Sequence, residues 1–379
     1  MQNKPSEYAA IGGVDPRLIT PFKRAMGEVA RRTAHLSLER GVRVINVHHS
    51  HGGIFEYTGT QRHRFCKTLE GAGNKPAIAE WMYQNDGTGR THLDKCVMDM
   101  ARMGSNDCIA HGAMPAVFED LVAAPDSEWF ADERRAADFV KGMVAACESA
   151  KMSVIGGESA AMKYVVNARP PMPAAPELNG AVSGIIVPIS QMVDSIRVQP
   201  GDSILGIGSS GMHSNGSGLV IGRAIKLPDV FLTKLPSGMT LGDSVLIPTL
   251  CYASFVEELL DQEADVHGLL PGTGGGVAKL ASDPRPYNYR IHTWWKDEEL
   301  PELFRYFRHV LGVSIEDCLT TFNWLGGYYV FVAKGNEDVV LKAAAKTGHK
   351  AMVVGIVEEG DRKVIFGPEG DLVLDAPDD

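Results

Sequence analysis

Residues 203–220 read SILGIGSSGMHSNGSGLV. The apolar run at 203–207 predicts a strand. It empties into residues 208–216, where hydroxyls, the His213 imidazole and the Asn215 carboxamide stand among glycines, and a helix-like segment follows. Glycine permits tight turns and lets main-chain N–H groups approach a ligand. At a helix start, where free N–H groups and the dipole favour anions, this mixture suits a phosphorylated ligand. Ser209, Ser210, Gly211, Ser214 and Asn215 are therefore candidate phosphate-binding residues. A second glycine-rich turn, with Gly274 and Gly275 at its centre, opens another predicted helix.

Acidic residues recur at comparable places. Residues 70–75 read Glu-Gly-Ala-Gly-Asn-Lys. Glu70 can hold Mg²⁺, which favours carboxylate oxygens and substrate phosphates, and Lys75 can neutralise a phosphate as a point charge. Gly71, Gly73 and Asn74 stand between them. Asn106 and Asp107 interrupt the helix-like spacing of residues 93–112, although both types are poor in helix interiors. Either the helix breaks at Gly104, or Asp107 is kept there to complete a metal site with Glu70. A short strand at 153–155 runs into Gly156-Gly157-Glu158, which places a carboxylate at a strand end.

Two rival motifs fail. Gly206, Gly208 and Gly211 fit the dinucleotide fingerprint, but no helix follows at once and no second strand ends in an acid about 20 residues on. No Gly-Lys-Ser or Gly-Lys-Thr P-loop exists. In the run His48-His49-Ser50-His51 only two imidazoles of an extended backbone converge, so a mobile polar loop outweighs a metal site.

The elements that must position these groups alternate along the chain. Helices are predicted at 21–41, 131–150, 246–260 and 300–311, and strands at 42–47, 182–188, 292–295 and 326–333. Residues 169–176 are proline-rich and read as an extended surface loop. A polar segment near residue 190 divides the chain into domains 1–190 and 191–379, each mixing strands and helices, and the two could share a topology. Net charge is −10, which argues against a general nucleic-acid binder and against anionic membranes. The six cysteines form no C-x-x-C pair, so neither structural zinc nor a disulfide framework is expected. Without a signal-like core or an apolar run of about 18 residues, the expected location is the cytoplasm.

Together the motifs resemble the aminoimidazole ribonucleotide synthetase (phosphoribosylformylglycinamidine cyclo-ligase) family, whose superfamily includes selenophosphate synthetase and thiamine-monophosphate kinase. The resemblance rests on the 208–216 stretch, on Gly156-Gly-Glu-Ser-Ala160 with Met162, on Asn106-Asp107 with Gly112-Ala113 and Pro115, on Asp265-Val266-His267, on Gly274 to Gly276, and on Thr321-Phe322-Asn323. The chain departs from the family at Glu70, usually Asp, at Pro271, where a second histidine is usual, and at Trp324-Leu325-Gly326. The resemblance implies a two-domain α/β fold. The N-terminal domains of a homodimer would share a β-barrel, ATP would lie near that interface, and the C-terminal α/β domain would hold the phosphorylated substrate. It further implies ATP and Mg²⁺ as cofactors, Glu70, Asp107 and Glu158 as metal ligands, and Lys75 on ATP phosphate. His213 would orient an amide or shuttle a proton with a near-neutral pKa. Two readings stay beside ring closure: a paralogue phosphorylating another amide, carbamate or phosphate acceptor, and a non-catalytic scaffold.

Overall fold

The computed structural model describes residues 13–45 and 52–377; the His48–His51 loop lies outside them. The first helix, α1 (Pro16–Thr33), starts where Asp15 accepts a hydrogen bond from the Arg17 N–H and a proline occupies the first turn, where no N–H is needed. A hairpin, β1 (Val42–Ile45) and β2 (Ile54–Tyr57), precedes the first sheet. That sheet is built from β3 (Arg64–Gly71), β4 (Met114–Ala124), β5 (Ser153–Ala161) and β6 (Glu177–Ile186), in the order β3-β6-β4-β5. Only the β4–β5 pair is parallel. After β3 comes α2 (Lys75–Asn85), then α3 (Leu93–Ile109), and between β4 and β5 runs α4 (Glu133–Ala150).

Helix α4 begins as its sequence demands, with Asp132 accepting from the N–H groups of Arg134 and Arg135. Its fully buried Phe139 contributes roughly 2–3 kcal/mol of apolar burial. Gly142 lets α4 lie directly against α3, since a Cβ there would fall 2.3 Å from the Asp94 carbonyl oxygen. Helix α3 does not break at Gly104. It runs unbroken through Asn106 and Asp107, because most of its length is buried and tertiary packing overrides local propensity.

The second half starts with β7 (Ser203–Gly208), followed by α5 (Ser217–Ala224) and α6 (Ala253–Asp261). Then come β8 (Val266–Pro271), β9 (Tyr287–Ile291), β10 (Gly326–Val332), α7 (Glu337–Lys346), β11 (Ala351–Glu359), β12 (Lys363–Phe366) and β13 (Leu372–Asp375). The sheet order is β13-β12-β9-β11-β7-β10-β8, with only β12–β9 parallel. Strands β7 and β10 are buried along their whole length. Leu205 and Ile207 pack with Phe255, Val256 and Val340 on one face, and Ile204 belongs to the core of the other.

Several expectations change here. Residues 292–295 form no strand; Trp294 and Trp295 instead cover the sheet. Gly206 seats Trp295, because a Cβ at 206 would approach its ring to 2.9 Å. That is a packing role, and β7 pairs antiparallel with both neighbours, so the dinucleotide reading fails on topology as well. The predicted helix at 246–260 begins only at Ala253. The two sheets differ in strand number and order, so the halves do not share a topology. Among the described residues no helix is long and apolar enough to cross a membrane.

Candidate active site

Strand β3 delivers Glu70 to its last turn, and the closing turn of α3 brings Asp107 against it. Burial and the neighbouring Asp107 carboxyl push Glu70 up to about 7, against the opposing field of Lys279. Asp107 Oδ1 is buried without a partner. Adjacent carboxylates, one oxygen of them orphaned, fit a divalent cation, and Mg²⁺ is usually held by one or two carboxylates plus substrate phosphates.

The loop after β7 comes from the other half. Its shape is fixed from outside. Asn323 donates to the Gly211 carbonyl at 2.8 Å and accepts from Ser209 Oγ at 2.9 Å, and Ser210 Oγ donates to the Pro248 carbonyl at 2.5 Å. Its inner atoms are left open: His213 Nε2, Ser214 Oγ and Asn215 Nδ2 are buried and have no partner. Buried polar groups are nearly always satisfied, so three orphans in successive residues mark a place made for something else. The loop ends at Gly216, at φ 82, which opens α5.

Two further contacts close the seam between the halves. A Cβ on Gly218 would lie 3.8 Å from Asn74 Nδ2, and one on Gly73 would lie 4.0 Å from Ser217 Oγ, so the head of α5 meets the 71–74 turn. A Cβ on Gly274 would lie 3.8 Å from Asn215 Oδ1, which brings the second glycine-rich turn to the same loop. A cavity of about 720 Å³ opens here, lined by Gly71, Gly73, Asn74 and Gly218 and by the proline-rich segment with Arg169. That segment is thus part of a cavity wall rather than a plain surface loop.

The structure thus gathers Glu70, Gly71, Gly73, Asn74, Asp107, His213, Ser214, Asn215 and Gly274 around one seam, with Gly275 in the same turn. Other expected residues lie elsewhere or do other work. Lys75 does not face the cavity. It is wholly buried, pairs with Asp99 Oδ2 at 2.7 Å, and donates to the carbonyls of His213 at 2.8 Å and Ile247 at 3.0 Å. Buried and held between that carboxylate and the two carbonyls, its ammonium anchors the loop instead. Asn106 is likewise structural, donating to the Leu250 carbonyl and accepting from the Tyr252 N–H. Ser209, Ser210 and Gly211 hold the loop's outer wall.

Glu158 does not join the carboxylate pair. Strand β5 continues to Ala161, so Gly156, Gly157 and Glu158 lie within an edge strand and not at its end. The register row through Glu70 runs Gly180, Asp120, Gly157, which puts Glu158 on the opposite face, about 14 Å away across three strand spacings. Glu158 pairs with Lys23 at 3.1 Å, and Gly156 and Gly157 line a separate cavity of about 590 Å³. His213 is also corrected. Burial and the Lys75 charge push its imidazole down to about 3, not the near-neutral value expected, which leaves it neutral near pH 7.

Asn323 stands in the sequence as part of a family motif, but Asp99 and Lys279 are not singled out there. A signal existed for Asp99. Asp99, Arg102 and Asn106 repeat at helical spacing within a largely buried helix, and all three bond residues 249–252 of the other half. Lys279 follows the Gly274–Gly276 run by three residues.

Comparison with known proteins gives a consistent result. Residues 54–186 match the N-terminal domain, and residues 199–367 the C-terminal domain, of the group described as AIR synthase related protein. A phosphoribosylformylglycinamidine cyclo-ligase of Lactobacillus delbrueckii is 33% identical over 326 residues, covering 83% of this chain and 86% of the relative. The enzyme of the same name from Methanothermobacter thermautotrophicus is 31% identical, covering 74% and 77%. Among solved structures, hydrogenase maturation protein HypE in complex with ATP superposes with a TM-score of 0.60 at 14% identity, covering 93% and 92% of the two chains, a likeness of fold.

Proposed function

The chain belongs to the AIR synthase related family, and from that premise we propose that it is an ATP-dependent phosphoribosylformylglycinamidine cyclo-ligase of purine biosynthesis. It converts formylglycinamidine ribonucleotide and ATP into aminoimidazole ribonucleotide, ADP and phosphate. The observation that carries this on the chain's own residues is the run of orphaned atoms at His213, Ser214 and Asn215, in a loop that meets the Gly274 turn and runs into the helix whose head meets the Gly71–Asn74 turn next to Glu70. The relatives are named for ring closure, which favours this reaction over phosphorylation of another acceptor and over a scaffold.

An amide oxygen is a poor leaving group. Transfer of a phosphoryl group to it gives an iminophosphate. The amidine nitrogen then attacks the same carbon, the N–C bond forms, the C–O bond breaks, phosphate departs and the nitrogen loses a proton. Such chemistry needs positioning and charge neutralisation more than a protein nucleophile. The neutral His213 Nε2 and the Asn215 carboxamide orient the reacting amide. Ser214 Oγ and the N–H groups at the head of α5 hold phosphate oxygens. Glu70 and Asp107 would hold Mg²⁺, which supplies charge neutralisation for the transferring phosphoryl group.

A homodimer is part of the proposal. Phe65 and Leu69 of β3 are 54% and 72% exposed on one face of the first sheet, with Leu121 of β4 also open, which suits packing against a second copy. Water-borne phosphorylated substrates support the cytoplasm as the location. The test is direct: the protein with formylglycinamidine ribonucleotide, ATP and Mg²⁺ is expected to release ADP and ring product in equal amounts. ADP release only with another acceptor, or no turnover with any, would overturn the reading.

A further inference from the structure

We propose that Lys279 is the residue that grips the phosphoryl end of the bound nucleotide, a part that Lys75 cannot play. The inference rests on the nucleotide-using reading above. Lys279 is half-buried, and its ammonium donates to Thr273 Oγ1 in the glycine-rich turn. Its charge is felt by Glu70, and theirs by it: burial lowers the lysine while the Asp107 and Glu70 charges hold it up. Yet among the described residues no carboxylate oxygen is within ion-pairing distance of it, and Thr273 is its one hydrogen-bond partner. An ammonium carries three protons, so two remain uncommitted.

The seam is therefore bipolar. Carboxylates stand on one side, an ammonium on the other, and a gap separates them. A cation–phosphate complex has the matching polarity, with its metal toward Glu70 and Asp107 and its phosphoryl oxygens toward Lys279. The turn that carries Lys279 is rigidly seated. A Cβ on Gly276 would come 2.3 Å from the Leu319 carbonyl oxygen, and Gly274 abuts Asn215. The ammonium is thus delivered by the second half to carboxylates carried by the first.

Calorimetry with Mg·ATP and with adenosine separates this from a structural role. Wild-type protein should bind Mg·ATP more tightly than adenosine. Lys279→Gln should weaken Mg·ATP at least tenfold and adenosine less than twofold, and Lys279→Arg should recover most of the loss. Equal losses for both ligands, or no loss, would overturn the inference while leaving the enzyme reading intact. A wild-type protein that does not bind Mg·ATP would sink both. A second measurement needs no variant: ATP, but not adenosine, should protect Lys279 of the wild-type protein from acetylation by an activated ester, read by mass spectrometry. Equal labelling with and without ATP counts against the proposal.

Discussion

Two residues of the site titrate in opposite senses, and each makes a prediction. His213 has a folded pKa of about 3 against 6.5 when unfolded, so between those values the unfolded chain binds more protons. Its contribution to stability is complete above pH 6.5 and is lost as pH falls through that window. Replacement by Asn, which tolerates the left-handed φ of 57 at this position, keeps the fold and lowers kcat about 100-fold. Urea unfolding should show the stability gap between wild type and His213→Asn narrowing from pH 8 to pH 5. Glu70 behaves in reverse. Its folded pKa lies near 7, above the unfolded 4.5, so its favourable contribution is present below 4.5 and lost as pH rises through 7. Above that, two adjacent carboxylates repel. Glu70→Gln should therefore stabilise the ligand-free protein at pH 8 by about 1 kcal/mol, discounted for partial exposure, while abolishing turnover. Thermal melts at pH 8 and pH 4.5 check this, since the gain should vanish at the lower pH.

At the level of elements, the loop between β7 and α5 is held by its surroundings more than by its own bonds. Gly216 is its weakest point to alter: φ is 82, and a Cβ would come 2.6 Å from the Phe322 ring. Gly216→Ala should lose about 2 kcal/mol or more and raise the KM for the phosphorylated substrate, measured by denaturation and steady-state kinetics. This loop and the helices were legible in the sequence because glycine clusters and helical periodicity are local signals. Strand ends were less so. Gly156 and Gly157 read as the end of a strand, but pairing with β4 carries β5 through them, a long-range effect that no local pattern encodes. The same holds for Lys75. Its type suggested a phosphate partner, and only the fold shows Asp99 and two carbonyls already around its ammonium. Trp324 and Leu325 were seen only as departures. The structure shows both at positive φ, with the Trp324 ring stacked on Phe304 and its carbonyl accepting from Trp294.

For the whole molecule, the open face of the first sheet predicts self-association. Sedimentation velocity at micromolar concentration should find the wild type a dimer and Leu69→Lys a monomer with unchanged circular dichroism; a monomeric wild type, or a dimer that persists in the variant, would count against pairing through this face. The two halves of each copy are joined more firmly. Asp99, Arg102 and Asn106 fasten residues 249–252 to the same helix that carries Asp107 in its last turn. That helix is a common axle, and it limits how modular the chain can be. Grafting a relative's residues 199–367 onto this N-terminal half would import a foreign 249–252 strip onto an axle cut for the native one. A working hybrid has to carry Leu93–Ile109 along with the graft, so the unit of recombination crosses the line between the halves.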